Sequence, residues 1–172
     1  MSERKSTTEM LSALVAKRLR ARHMFWAPEV DFDKNTPAYR RIDFVGFKPF
    51  TPSLVIESCS VELGRFECYE VKSCMSDFQS GHGLTFYGDA NYLVTTREFA
   101  DELDGKLMIP NGIDDILMPN KPMTALISRS GQSETQRYRY GSQSYRRRTA
   151  SEMLWQIMTA RHHYDIQEAS DE

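Results

Sequence analysis

Apolar residues recur every three or four positions between Thr7 and Arg22: Met10, Leu11, Leu14, Val15 and Leu19. That period predicts an amphipathic helix. Ser6 or Thr7 is placed to cap it, and Lys17, Arg18 and Arg20 suit the negative end of its dipole. His23 to Phe32 reads as a strand interrupted by Pro28, and DKNTP (33–37) as a turn. From Ile42 to Phe47 both alternating sets are apolar except for Asp43, the pattern of a buried strand. Pro49 and Pro52 then break the chain, and Leu54 to Leu63 fits a short helix or a strand. Phe66 to Val71 is a third strand, followed by a short helix capped by Ser76 and stopped by Gly81 and Gly83. NYLVT (91–95) is a fourth strand, and Thr96 caps a helix over TREFADEL.

KLMIP and DILMP are short apolar runs ended by prolines, and TALISR is one more strand. A last helix spans Thr149 to His162, with Met153, Leu154, Ile157 and Met158 as its apolar stripe. The order is helix, three strands, helix, strand, then additions. It predicts an α/β domain with helices flanking a mixed central sheet. One domain over 1–172 is expected: a core of about 6–128, a connector at 129–148, a terminal helix at 149–163 and an acidic tail at 164–172.

Composition changes this picture little. A chain of 172 residues, 40% hydrophobic and 27% charged, is an ordinary globule with material for one sizeable core. A formal net charge of −2 gives no global signal for nucleic acid, so such contact must come from a local patch. No apolar run has the length of a membrane span, and MSERKSTTEM has no signal-peptide core. Cys59, Cys68 and Cys74 form no CxxC pair and an odd set, which argues against a disulfide framework or zinc ribbon. A cytoplasmic location is expected.

The chemistry lies in charged residues set into apolar strands. Glu70 and Lys72 are two apart, so they share a strand face, and burying either alone is costly. Asp43 occupies the neighbouring strand. Two carboxylates on adjacent strands suit a hard divalent cation such as Mg²⁺, with the Val71 carbonyl as a further oxygen. Lys72 is then placed to orient the attacking water or to stabilise charge on a phosphoryl oxygen. The plainer readings are an Asp43 paired with Arg40 or Arg41, and a surface charge pair at Glu70 and Lys72. Asp77 reads as a helix-start residue, Gln79 and His82 as solvated loop residues, and His162-His163 as a helix-end pair.

The run from Arg137 to Arg148 interleaves arginines that can hold phosphates with tyrosines that can stack on unpaired bases. Arg137, Tyr138, Arg139, Arg146, Arg147 and Arg148 are the candidates for nucleic-acid binding. The alternative is a solvated hairpin paired with the acidic tail.

RRIDFVGF followed by CYEVKSCMSDF resembles the PD-(D/E)xK nuclease superfamily, and within it the MmcB-like DNA-repair-associated proteins and their phage-borne relatives. The matching residues are Arg41-Ile42-Asp43, Glu70-Val71-Lys72-Ser73, Asp77-Phe78 and Asn91-Tyr92-Leu93-Val94, over about residues 6–118. The resemblance implies a restriction-endonuclease-like core, with Asp43 and Glu70 holding Mg²⁺ or Mn²⁺ and Lys72 catalytic. It implies a first-helix glutamate at the site, for which Glu9 is the match. Ser73, Asp77 and Gln79 are added as contacts on the nucleic-acid side. The expected function is metal-dependent cleavage of DNA, RNA not excluded, in repair, recombination or phage DNA processing; a homodimer is compatible with it. The alternative is an inactive nucleic-acid-binding or protein-interaction module on the same fold. Ile42 stands where the family has proline, the span from Asp43 to Glu70 is long, and QSGHGLTFYGD replaces a more basic stretch.

Overall fold

The computed structural model describes residues 3–50, 58–80, 83–131 and 145–170. Its elements are α1 (Glu3–Ala21), β1 (Phe25–Phe32), β2 (Arg40–Lys48), α2 (Ser58–Glu62), β3 (Arg65–Val71), α3 (Met75–Phe78), β4 (Ala90–Val94), α4 (Arg97–Gly105), β5 (Asp115–Pro119), β6 (Leu126–Ser128) and α5 (Ala150–Ser170). The strands form one sheet in the order β1-β2-β3-β4-β5-β6. β1, β2 and β3 make an antiparallel meander, β3, β4 and β5 run parallel, and β6 returns antiparallel to β5. The fold is therefore the mixed α/β sheet with flanking helices that the pattern predicts.

Period-2 alternation puts helices on both faces. Leu11, Leu14, Val15 and Leu19 of α1 pack on Phe44, Tyr69, Val71, Tyr92 and Val94. Gly46 admits this helix: a Cβ there would lie 2.6 Å from a Leu19 methyl. Ala150, Met153 and Ile157 of α5 join Val45, Phe47, Phe66 and Cys68, which alternate with Phe44 and Tyr69 and so lie on the opposite face. Phe99, Ala100 and Leu103 of α4 join Leu93, Ile116 and Met118. Fully burying each such side chain is worth about 1.5–3 kcal/mol.

Alternation breaks at one place. Ala27 and Val30 both belong to the α5 cluster although three apart, and so do their partners Val45 and Ile42. Between them, the ladder pairs Pro28 with Phe44 and Val30 with Ile42 but omits Glu29 and Asp43. Glu29 has φ +48, a left-handed backbone uncommon for a side chain of this kind. Both strands thus change face together at the Glu29–Asp43 step. Pro28 does not end β1 as the sequence suggests, because β1 is an edge strand and needs no outward N–H there.

Other expectations resolve as follows. Thr96 caps α4, accepting from the Phe99 N–H. Ser76 is no cap: it lies inside α3, whose N-cap is Cys74, and the Cys74 side chain makes no capping bond to the helix backbone. Between β3 and β4 the expected helix is this single turn. The ambiguous 54–63 stretch gives α2 at its end, and 51–57 lies outside the described residues. The fully buried carboxylate of Glu67, under α1, is held by Arg22 at 2.5 and 3.0 Å, by Arg65 at 2.8 Å and by the Tyr69 hydroxyl at 2.6 Å. Those cations hold its pKa below the ordinary range although burial alone pushes it up.

Candidate active site

β2 and β3 stay paired from Lys48–Arg65 to Phe44–Tyr69 and then part. Asp43 is the next residue of β2, and its Oδ2 accepts the Val71 N–H at 2.7 Å. A side-chain oxygen has replaced a ladder carbonyl, which pins Asp43 in the opening gap. In an antiparallel ladder a residue's N–H and C=O face the same neighbour, so the Val71 carbonyl is directed into that gap too.

Glu70 follows Cys68 on the face opposite α1 and stands across from Leu93 of β4. It therefore sits where the α5 cluster gives way to the α4 cluster. It is fully buried. Its Oε1 accepts the Thr85 N–H at 3.0 Å, while Oε2 is buried with no hydrogen-bond partner among the described residues. Lys72 is 5% exposed, with Nζ 3.8 Å from Asp77 Oδ1. Its backbone N–H continues the parallel ladder to Val94 O at 3.0 Å.

Glu70 and Lys72 converge at Gly83. A Cβ on Gly83 would lie 2.6 Å from Glu70 Oε2 and 3.0 Å from Lys72 Nζ, and the residue has φ +78. Only glycine takes both that backbone and that approach without strain.

Burial raises the pKa of both carboxylates. Glu70 is pushed up to about 8, by desolvation first and by the Asp43 charge second. Asp43 is raised by desolvation, against the Val71 N–H and the charges of Lys72 and Arg41, which favour its ionised form. Two acids that cannot both comfortably ionise, one with an orphaned oxygen, are suited to sharing a cation. Among the described residues no group of three or more His, Cys, Asp or Glu side chains is arranged for a metal. The donor set is then two carboxylates and a main-chain carbonyl, within what Mg²⁺ uses alongside its waters. The residues fit such an ion.

The gap opens into a cavity of about 670 Å³. Asp43, Val71, Lys72 and Gly83 form its inner wall, Thr8 and Ser12 of α1 one side, and Glu29, Tyr39, Arg40 and Arg41 the β1–β2 side. Ser73 ties the end of β3 to α1, accepting from the Thr8 hydroxyl at 3.1 Å.

Several predicted residues lie elsewhere. Glu9 is absent from the cavity lining; it is exposed and 3.9 Å from Lys5, because the face of α1 that reaches the gap is that of Thr8 and Ser12. Gln79 is exposed at the end of α3. Asp77 does line the cavity beside Lys72. Arg146 is taken up by Glu62 and Asp89, both at 3.7 Å, and by the Phe66 ring. Arg148 pairs with Asp33 and Glu152 and lies over the Tyr87 ring. These two strap the chain to the sheet, so their charge is already spoken for; Arg147 is exposed. Arg137, Tyr138 and Arg139, and His82, lie outside the described residues.

Gly83, Glu29 and the Tyr39–Arg41 rim were not legible as site residues. Gly83 reads only as a helix breaker, and Glu29 as a residue after a proline. Of the rim, Arg40 and Arg41 stood out only as neighbours of Asp43, Arg41 also within the Arg41-Ile42-Asp43 motif, and Tyr39 not at all.

Among the described residues no helix is long and apolar enough to cross a membrane. No family model matches the chain, and no curated protein does. Among solved structures it is similar to SPO1766, a protein of unknown function from Silicibacter pomeroyi. The identity is 16% and the TM-score 0.58, over 96% of this chain and 94% of that one. The likeness extends to the fold.

Proposed function

We propose that the protein is a divalent-cation-dependent nuclease that hydrolyses DNA phosphodiester bonds. Asp43 and Glu70 would hold Mg²⁺ or Mn²⁺, with the Val71 carbonyl as a further donor. Bound there, the cation supplies Lewis-acid stabilisation of the phosphoryl charge and makes water a stronger nucleophile. Lys72, the cation of the inner wall, positions that water or a phosphoryl oxygen by donating from Nζ. Asp77 holds Lys72 toward the cavity. The observation that carries the reading is the buried Glu70 Oε2, unpartnered among the described residues, near a second carboxylate and a nearly buried lysine. Stability alone gives no reason to bury that set.

The resemblance of RRIDF and CYEVKS to PD-(D/E)xK nucleases supports the same assignment. A second reading, a silent nucleic-acid-binding module, draws on the lack of a third acidic or imidazole ligand among the described residues.

The test is incubation of the protein and its Lys72→Ala variant with single-stranded, duplex and branched DNA, in Mg²⁺, Mn²⁺ or EDTA. Metal-dependent cutting by the wild type alone supports the nuclease. Equal products from both proteins overturn it. Metal binding by calorimetry without cutting on any substrate favours the silent module.

A further inference from the structure

The rim of the cavity specifies what enters it. Tyr39, Arg40 and Arg41 stand together on the β1–β2 side, and all three are exposed. The Tyr39 hydroxyl is fixed to Asp31 Oδ1 at 2.7 Å, which holds the ring while leaving it 42% exposed. Arg40 Nη1 donates to the Tyr39 carbonyl at 2.7 Å, which anchors the guanidinium to the backbone beside that residue. Arg41 has Glu29 3.6 Å away, and both side chains are more than half exposed. A pair of that kind holds its arginine weakly and gives it up to a phosphate. Two guanidinium groups and a presented aromatic ring thus flank the route to Lys72.

The other walls limit the shape of the guest. The cavity has the volume of a site for a small organic molecule, about 670 Å³. Lys72, only 5% exposed, lines it together with Thr8 and Ser12 of α1 and the arginines of the rim. A duplex keeps its bases paired and stacked inside the helix and so offers none to the exposed Tyr39 ring. An unpaired strand can enter, with a base on the Tyr39 ring and its phosphates on Arg40 and Arg41.

We infer that the Tyr39–Arg40–Arg41 rim selects single-stranded DNA, as a free strand or an unpaired stretch, and delivers it to the pocket. This assignment rests on the nuclease reading for its purpose but is measured apart from it.

The experiment is fluorescence anisotropy in EDTA, where no cutting occurs, with a labelled oligo-dT strand and a blunt duplex of equal length. The strand is expected to bind at least about 10-fold more tightly than the duplex. Arg40→Gln/Arg41→Gln should weaken strand binding about 10-fold or more. It should also flatten the salt dependence by about 1.4 in the slope of log affinity against log salt, for two phosphates on a single strand. Tyr39→Ala should lose about 10-fold and Tyr39→Phe should keep most of the affinity, with circular dichroism checking that each variant is folded. Equal binding of duplex and strand overturns the inference. So does wild-type affinity and salt slope in the folded arginine double variant. Strand-selective binding by a protein that cuts nothing in Mg²⁺ or Mn²⁺ overturns the nuclease reading and leaves this one standing.

Discussion

Replacing Glu70 by glutamine should make the metal-free protein more stable at neutral pH while it abolishes metal binding and cleavage. The glutamine keeps the shape and can still accept the Thr85 N–H. What it removes is a charge that the fold disfavours. Glu70 rises from an ordinary value of 4.5 to about 8. A carboxylate with a raised folded pKa binds its proton more tightly in the folded state. Its penalty is therefore absent below pH 4.5, grows as pH climbs toward 8, and is level above that. The full rise corresponds to roughly 3–5 kcal/mol, shared with the Asp43 charge that helps cause it. Relaxation of the site reduces this, and about 2 kcal/mol is a reasonable expectation at pH 7. The amide NH₂ meets the place where Oε2 has no partner, at a pH-independent cost of about 1 kcal/mol. The telling quantity is the change in the difference between variant and wild type across pH. Unfolding in EDTA at pH 5 and pH 8.5 should show the variant level with or below the wild type at pH 5. At pH 8.5 it should be above it, by about 4–8 °C in melting temperature for a chain of this size. Parallel pH profiles for the two proteins would refute the claim that a strained, functional carboxylate sits there.

The remaining predictions concern the surroundings. Gly83→Ala should destabilise by about 1–2 kcal/mol, from its φ of +78 and its 2.6 Å approach to Glu70 Oε2. It should lower cleavage more than stability, read by urea unfolding alongside the gel assay. Arg22→Ala should destabilise by about 3–5 kcal/mol at pH 7, because Glu67 stays buried without its main cation. The wild-type stability from that cluster should persist above the ordinary carboxylate range and fade as acid titrates Glu67 through its depressed pKa. A variant that melts like wild type at pH 7 would show the cluster to be inert. Arg148→Ala should cost about 1–3 kcal/mol by loss of Asp33, Glu152 and the Tyr87 ring, measured by thermal unfolding.

How far the sequence carries depends on what sets each feature. Element type followed the apolar period wherever burial sets it, so Leu11, Leu14, Val15 and Leu19 faced the sheet as expected. Asp43, Glu70 and Lys72 stood out as charges among apolar neighbours, and strand adjacency sets Asp43 against the N–H of Val71, the residue between Glu70 and Lys72. What depended on non-local geometry was not legible. The face change at Glu29 and Asp43 has no one-dimensional signature, since it needs both strands to distort at once. Glu9 was named only by resemblance, and the α1 residues that line the cavity are Thr8 and Ser12. Arg146 and Arg148 look like free cations in a list of residues. Only folding reveals Glu62, Asp89 and Asp33 waiting for them.

The strap at Arg148 also has a bearing on the order of biosynthesis. Asp33 begins the turn that carries Tyr39, and it is gripped by Arg148, two residues before α5. Every strand of the sheet leaves the ribosome before that helix does, and amino-terminal parts fold first. The pocket's inner wall can assemble early, but the mouth is braced only when the last helix docks on β1 and β2. A nascent chain therefore carries Asp43, Glu70 and Lys72 behind an unbraced entrance until α5 has emerged.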